Sequence, residues 1–189
     1  MSHLPFTIFA YFLNGLAVTA DKMLLNKVVP DPFIYVFYIS SFSLISLPIL
    51  IFTQVPSFFV FTIGSISTIT WTIGAYFLFK ALKGGLLSRV IPLIGTFTSL
   101  ILFTEASINS TITLNQKWAV GFLIAGIIFI TLTDLKGKLK KKEIMFEIIS
   151  SSLFAISFIL LREAYLRGNF LSVLAYSRLI LIPFILIVI

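Results

Sequence analysis

The side chains that could do chemistry in this chain are few, and most sit inside apolar runs. Arg178 lies eight residues into the run Phe170–Ile189, Asn14 sits in mid-run, and Trp71 and Thr72 stand in the middle of another. An ionisable or strongly polar group inside a membrane is expensive, so each is a candidate for contact with a solute or a partner group. Arg178 either meets an anionic group or carboxylate, or its helix starts later than the run does. Asn14 either bonds between helices or touches solute, and Trp71 either packs or stacks on a solute. In the third run Thr62, Ser65, Thr68, Thr72 and Tyr76 recur at helical spacing and run on into Lys80 and Lys83. Residues three and four apart share a helix face. The expectation is a hydroxyl-lined path ending in two cations, with Lys80, Lys83 and Arg89 as an electropositive entrance. Ser88, Pro92, Gly95 and Ser99 form a similar stripe in the fourth run, which reads as packing, as does the pair Gly121 and Ala125. Glu105 reads as a helix-end residue, Trp118 as an interfacial anchor, and the adjacent charges Asp21-Lys22 and Arg162-Glu163 as exposed helix ends.

The elements that must position these groups follow from composition. The chain has 189 residues, of which 59% are hydrophobic and 11% charged, with a mean hydropathy of +1.10. A soluble domain carries about 25% charged residues. Seven apolar runs stand out: Leu4–Ala20, Phe33–Phe52, Phe58–Phe79, Leu86–Phe103, Trp118–Leu135, Ile144–Leu161 and Phe170–Ile189. About 20 apolar residues make one span. Only helices or a closed barrel satisfy the backbone in lipid, and barrel strands are about 10 residues long and alternate in polarity. The expected fold is therefore all-α, a polytopic bundle of seven spans in a lipid bilayer. Met1–Pro5 lacks the basic start of a signal peptide, so the first run is expected to be a retained span.

Several chemistries find no residues. There is no cysteine, and the one histidine is His3. Thiol chemistry is excluded, a metal site is not expected, and no cofactor is implied. No histidine or mid-span acidic pair is read within the runs, which argues against an enzyme. The net charge of +7 is concentrated in loops, so it reads as membrane orientation rather than nucleic-acid binding. Loops one, three and five hold ten Lys and Arg, including the run Lys136–Lys142, against three in loops four and six. The expectation is a cytoplasmic lysine-rich loop and an N-terminus outside. Asn109-Ser110-Thr111 fits a glycosylation pattern, but three residues carry little weight.

An internal repeat is suggested by Asp21-Lys22 and Arg162-Glu163, 141 residues apart, and by Pro48 and Pro183, 135 apart. With five spans per repeat the second copy enters the membrane inverted, a device of secondary transporters. The chain also stops within an apolar run, which reads as truncation of a form with about ten helices. Residues 1–135 are read as the first repeat, 136–142 as a linker and 143–189 as the first two helices of a second.

Tyr76, Ala81-Leu82, Ser88, Pro92, Glu105, Gly121 and Gly126, in that order, resemble the EamA domain. That domain is the five-helix repeat of the drug/metabolite transporter superfamily. The resemblance covers residues 4–135 and extends into 143–189. It implies a ten-helix, inverted-repeat carrier for a small metabolite or drug-like solute, coupled to a proton or an exchanged solute. Pro92, Glu105, Gly121 and Gly126 are structural in that reading. The chain departs from the family in lacking three helices of the second repeat. It departs also in its charge balance, since the family keeps both termini in the cytoplasm. Asn14, Trp71, Thr72, Tyr76 and Arg178 are the expected solute contacts. The alternatives are a non-transporting, oligomeric membrane partner, in its simplest form a homodimer, and a flippase for a lipid-linked substrate.

Overall fold

The described parts of all seven apolar runs fold as helix, and several of these helices begin or end at a side-chain cap or a proline. The computed structural model describes residues 4–108, 113–133 and 141–188. Its helices are α1 (Leu4–Lys27), α2 (Pro32–Ser43), α3 (Phe58–Gly84), α4 (Leu87–Ile108), α5 (Leu114–Thr133), α6 (Lys141–Arg167), α7 (Phe170–Tyr176) and α8 (Leu181–Val188). No strand occurs among the described residues. Among the described residues six spans, not the expected seven, are long and apolar enough to cross a membrane, with α7 and α8 counted as one, α2 joined to the turns that follow it, and α5 not among them. The chain is a multi-pass helical membrane protein by this measure. The glycosylation pattern at 109–111 and most of the lysine run, residues 136–140, lie outside the described residues.

The helices extend past the apolar runs by several residues, because charged and polar ends can stay helical at an interface. Asp31 starts α2: its Oδ1 accepts from the amides of Phe33 at 2.7 Å and Ile34 at 3.3 Å, with Pro32 in the first turn. Asn169 starts α7 the same way, accepting from Leu171 at 3.0 Å and Ser172 at 3.5 Å. Each cap satisfies amides that have no partner within the helix. The two runs that begin at these caps are not continuous α-helices, as the sequence alone would have them. The first turns into a 3-10 helix over Leu44–Phe52, around Pro48. The second does so over Ser177–Ile180, just before Pro183. A proline removes the amide that would bond four residues back, so the turn before it tightens.

Contacts set the directions of the spans. Ser67 and Ser157 exchange hydroxyl-to-carbonyl bonds at 2.9 Å each, and Ser150 Oγ donates to the Gly74 carbonyl at 2.9 Å. The pairing 67–157 and 74–150 makes α3 and α6 antiparallel. A Cβ on Gly74 would lie 3.1 Å from Phe154 Cδ1 and 3.3 Å from Leu153 Cβ, so glycine permits this approach. Interhelical hydroxyl bonds in membranes average about 0.6 kcal/mol, so close packing of small residues carries most of the association. α4 lies parallel to α6, because Arg89 pairs with Glu143 at their starts and Glu105 with Arg162 at 3.2 Å near their ends. Lys22 near the end of α1 reaches the end of α3. One end of the bundle thus gathers the ends of α1 and α3 with the starts of α2, α4 and α6.

α5 stands apart and packs chiefly on α4. Gly121 and Ala125 are exposed, and a Cβ added at Gly121 or Gly126 would meet nothing within 4 Å. The expected packing role of Gly121 and Ala125 is therefore not met within the described residues.

Candidate functional site

A cavity of about 680 Å³ lies between α1, α2, α3, α4 and α6. Its wall is mostly apolar and aromatic. Tyr11, Asn14 and Asp21 come from one face of α1, Trp71 and Phe79 from α3, and Phe154 and Phe158 from α6. α4 supplies Gly95, Thr98 and Ser99. These residues meet because α1 runs parallel to α3, so Tyr11 sits toward one end and Asp21 toward the other. Trp71 lies tilted at 47° to Phe154, with centroids 6.1 Å apart, and Phe154 stacks with Phe158 at 6.5 Å. Cavities of this size, apolar with a few placed polar groups, are the usual form of small-molecule sites.

Asp21 is not an exposed helix end. It is half-buried, lines the cavity, and accepts a hydrogen bond from Tyr35 Oη at 2.6 Å. Its neighbour Lys22 is also half-buried and turns away, donating from Nζ to the carbonyls of Leu82 and, at 2.9 Å, Gly85. Those carbonyls lie in the last turn of α3 and at the capping residue just after it, where helix acceptors lack partners and a cation is favoured. The other adjacent pair, Arg162-Glu163, behaves as an end: Arg162 pairs with Glu105 and Arg167 donates to Glu163 at 2.6 Å, both largely solvent-facing.

The expected solute contacts divide into three places. Asn14 and Trp71 line the large cavity. Thr72 and Tyr76 lie on a different side of α3, in a cleft of about 280 Å³ shared with Phe33, Val36 and Phe184. Arg178 lies in the 3-10 turn before Pro183, half-buried and outside both lining sets. Its helix does start at Phe170, so the run was not mis-set, and no carboxylate lies within ion-pair distance among the described residues.

The two stripes exchange roles. In α3 the hydroxyls mostly bond to their own helix: Thr62 donates to the Phe58 carbonyl and Thr72 to that of Thr68, both at 2.8 Å. Ser65 and Thr68 are buried, and neither lines the cavity. The α4 stripe instead delivers Gly95 and Ser99 to the cavity wall. Spacing identifies a common face; which helix that face meets depends on tertiary packing.

The proposed entrance is also differently built. Arg89 is 3% exposed and forms a buried ion pair with Glu143, whose Oε1 also accepts from Arg89 Nε at 3.1 Å. Lys80 is half-buried, its Nζ 4.5 Å from the Tyr76 ring centroid and 5.4 Å from that of Phe146. Lys83 alone of the three is exposed. Gly85 sits against this cluster: a Cβ there would lie 2.7 Å from Val90 Cγ2 and 2.8 Å from Glu143 Cδ.

Glu147 escaped sequence reasoning altogether. It is 0% exposed, and neither carboxylate oxygen has a hydrogen-bond partner. It follows Glu143 by four residues, so a buried acidic pair stands in the first turns of α6, at the edge of the sixth run. The signal was present, since Glu147 falls within Ile144–Leu161. Asp21 shares the Asn14 face of α1 at helical spacing and meets the cavity with it, whereas Tyr11 and the two phenylalanines of α6 were missed as cavity residues, and nothing in their local spacing marks them. Pro92 sits early in α4, where its carbonyl accepts from Thr96 Oγ1 at 2.7 Å. Glu105 lies three residues from the end of α4, in its last turn. No group of three or more His, Cys, Asp or Glu that could hold a metal occurs among the described residues. No family model, curated protein or solved structure matches the chain.

Proposed function

We propose that the chain is a helical membrane carrier for a small solute, of the drug/metabolite transporter type, built on EamA-like five-helix repeats. The cavity of about 680 Å³ carries this reading, because it lies among five spans and combines an aromatic wall with Asn14, Asp21, Thr98 and Ser99. Solute would bind there and be exposed alternately to the two sides as one repeat rocks against the other. Two local parallels support an inverted second copy beginning at α6. Asp31 and Asn169 cap their helices alike, and both following spans break into 3-10 turns beside a proline. The end of the bundle bearing Lys80, Lys83 and Lys141–Lys142 is proposed to face the cytoplasm.

The test is uptake of labelled metabolites and amines into vesicles containing the folded chain, with and without a pH gradient. Saturable uptake above protein-free vesicles supports the carrier. Its absence across both conditions, with the chain helical and inserted, refutes carriage by this chain. A second reading is an oligomeric membrane partner, favoured by the open space beside Gly121 and Gly126 on α5. A dimer mass in native mass spectrometry, together with no uptake, would select it.

A further inference from the structure

We propose that the cavity takes an organic cation, an amine or quaternary ammonium bearing an aromatic or aliphatic body, with Asp21 as its counter-charge. The proposal rests on reading the cavity as the solute site and adds the class of solute.

Three observations carry it. First, Asp21 is the only charged residue among those lining the cavity, and no Lys or Arg lies within ion-pair distance of it among the described residues. The nearest cation in sequence, Lys22, is committed to the carbonyls of Leu82 and Gly85. Second, Tyr35 Oη donates to Oδ1 of Asp21, the one hydrogen bond to this carboxylate among the described residues. A carboxylate inside a membrane protein without a positive partner is a costly group unless something completes it. Third, the same cavity is walled by Tyr11, Trp71, Phe79, Phe154 and Phe158. Aromatic faces attract cations, most strongly when water is excluded.

The same lining disfavours other solutes. An anion would meet a carboxylate and no cation. A neutral apolar solute would leave Asp21 unpaired. A metal ion such as Ca²⁺ takes about six to eight oxygen ligands, and this wall offers one carboxylate among rings and alkyl groups. Arg178, the candidate for an anionic solute, is not on this wall.

Trp71 supplies the readout. The chain has two tryptophans, and Trp118 on α5 is exposed and far in sequence from the cavity. In the Trp118→Phe chain, reconstituted in lipid vesicles, Trp71 fluorescence is titrated with benzyltrimethylammonium, benzyl alcohol and phenylacetate. The expected result is saturable quenching by the cation alone. Asp21→Asn keeps an oxygen to accept the Tyr35 hydroxyl but removes the charge, and it should weaken cation binding about ten-fold or more. Asp21→Glu should keep part of the affinity, and circular dichroism checks that both variants are folded. Equal binding to Asp21→Asn, competition by phenylacetate at matching concentration, or no saturable quenching in the folded chain overturns the proposal. Binding that needs Asp21 without any uptake leaves the site standing and removes the carrier reading. Saturable uptake that ignores both Asp21→Asn and benzyltrimethylammonium does the reverse.

Discussion

Removing Arg89 should unfold this bundle far more readily than removing its partner. The Arg89 and Glu143 side chains are each 4% exposed, so the pair is shielded from water. Breaking a buried pair from one side costs about 3–5 kcal/mol, mostly because a charge is left without a partner. Arg89→Met leaves two carboxylates, because Glu147 interacts electrostatically with both Arg89 and Glu143. It should therefore fall at the upper end of that range. Glu143→Gln leaves an amide oxygen that can accept from Arg89, and the Glu147 carboxyl still interacts electrostatically with the guanidinium without contacting it. Its cost should be nearer that of a weakened hydrogen bond, about 1–2 kcal/mol. The double variant Glu143→Gln/Glu147→Gln takes away both anions and should restore the full cost, about 3 kcal/mol or more. Arg89→Met/Glu143→Leu replaces the pair with apolar groups and should return to within about 1 kcal/mol of the parent. The assay is unfolding in mixed micelles by added denaturing detergent, followed by circular dichroism. A loss below about 1 kcal/mol for Arg89→Met, or an equal loss for Glu143→Gln alone, would refute the assignment of Arg89 as the shared counter-charge.

The same titration tests three further points. Gly74→Val places its side chain against Phe154 and Leu153 and should cost about 1–3 kcal/mol by overpacking. Gly126→Ala, with open space around it, should be neutral or stabilise by up to about 1 kcal/mol through helix propensity. Glu147→Gln should leave stability unchanged or raise it, since neither oxygen has a partner to lose; a drop beyond about 2 kcal/mol would mean a contact the structure lacks. The chain has no cysteine, so single cysteines need no background changes. Asn14→Cys and Ser99→Cys should react with a water-soluble maleimide, and Ser67→Cys, on α3 and buried against α6, should not. Equal labelling at all three positions would remove the cavity as a water-accessible space.

Spacing showed which residues share a helix face, but not what each face meets. The hydroxyl stripe of α3 and the small-residue stripe of α4 have nearly the same periodicity. The first does not reach the large cavity, and its Thr62 and Thr72 hydroxyls bond to backbone carbonyls four residues back. The second is turned to the cavity. Asn14 and Trp71 were legible as cavity residues because a polar or large aromatic side chain in mid-span is conspicuous. Tyr11 and Phe158 were not, since an aromatic residue in an apolar run looks the same facing lipid or solute. Asp21 was visible but misread, because a charge near a helix end is ordinarily solvated. In the fold it instead accepts from Tyr35 near the start of α2, a contact across a turn.

The sequence alone determined the helical, membrane-spanning class, the positions of the apolar runs and most of their boundaries. These depend on local quantities: hydrophobic length, caps such as Asp31 and Asn169, and prolines that stop or tighten a helix. Tertiary structure alone decided that Arg89 lies buried against Glu143, that Glu147 lies buried without a partner, and that Asp21 stands in an aromatic cavity. Each outcome joins residues dozens of positions apart. Whether a charge is neutralised, orphaned or left to face a solute depends on which helices lie beside it, and no local pattern encodes that.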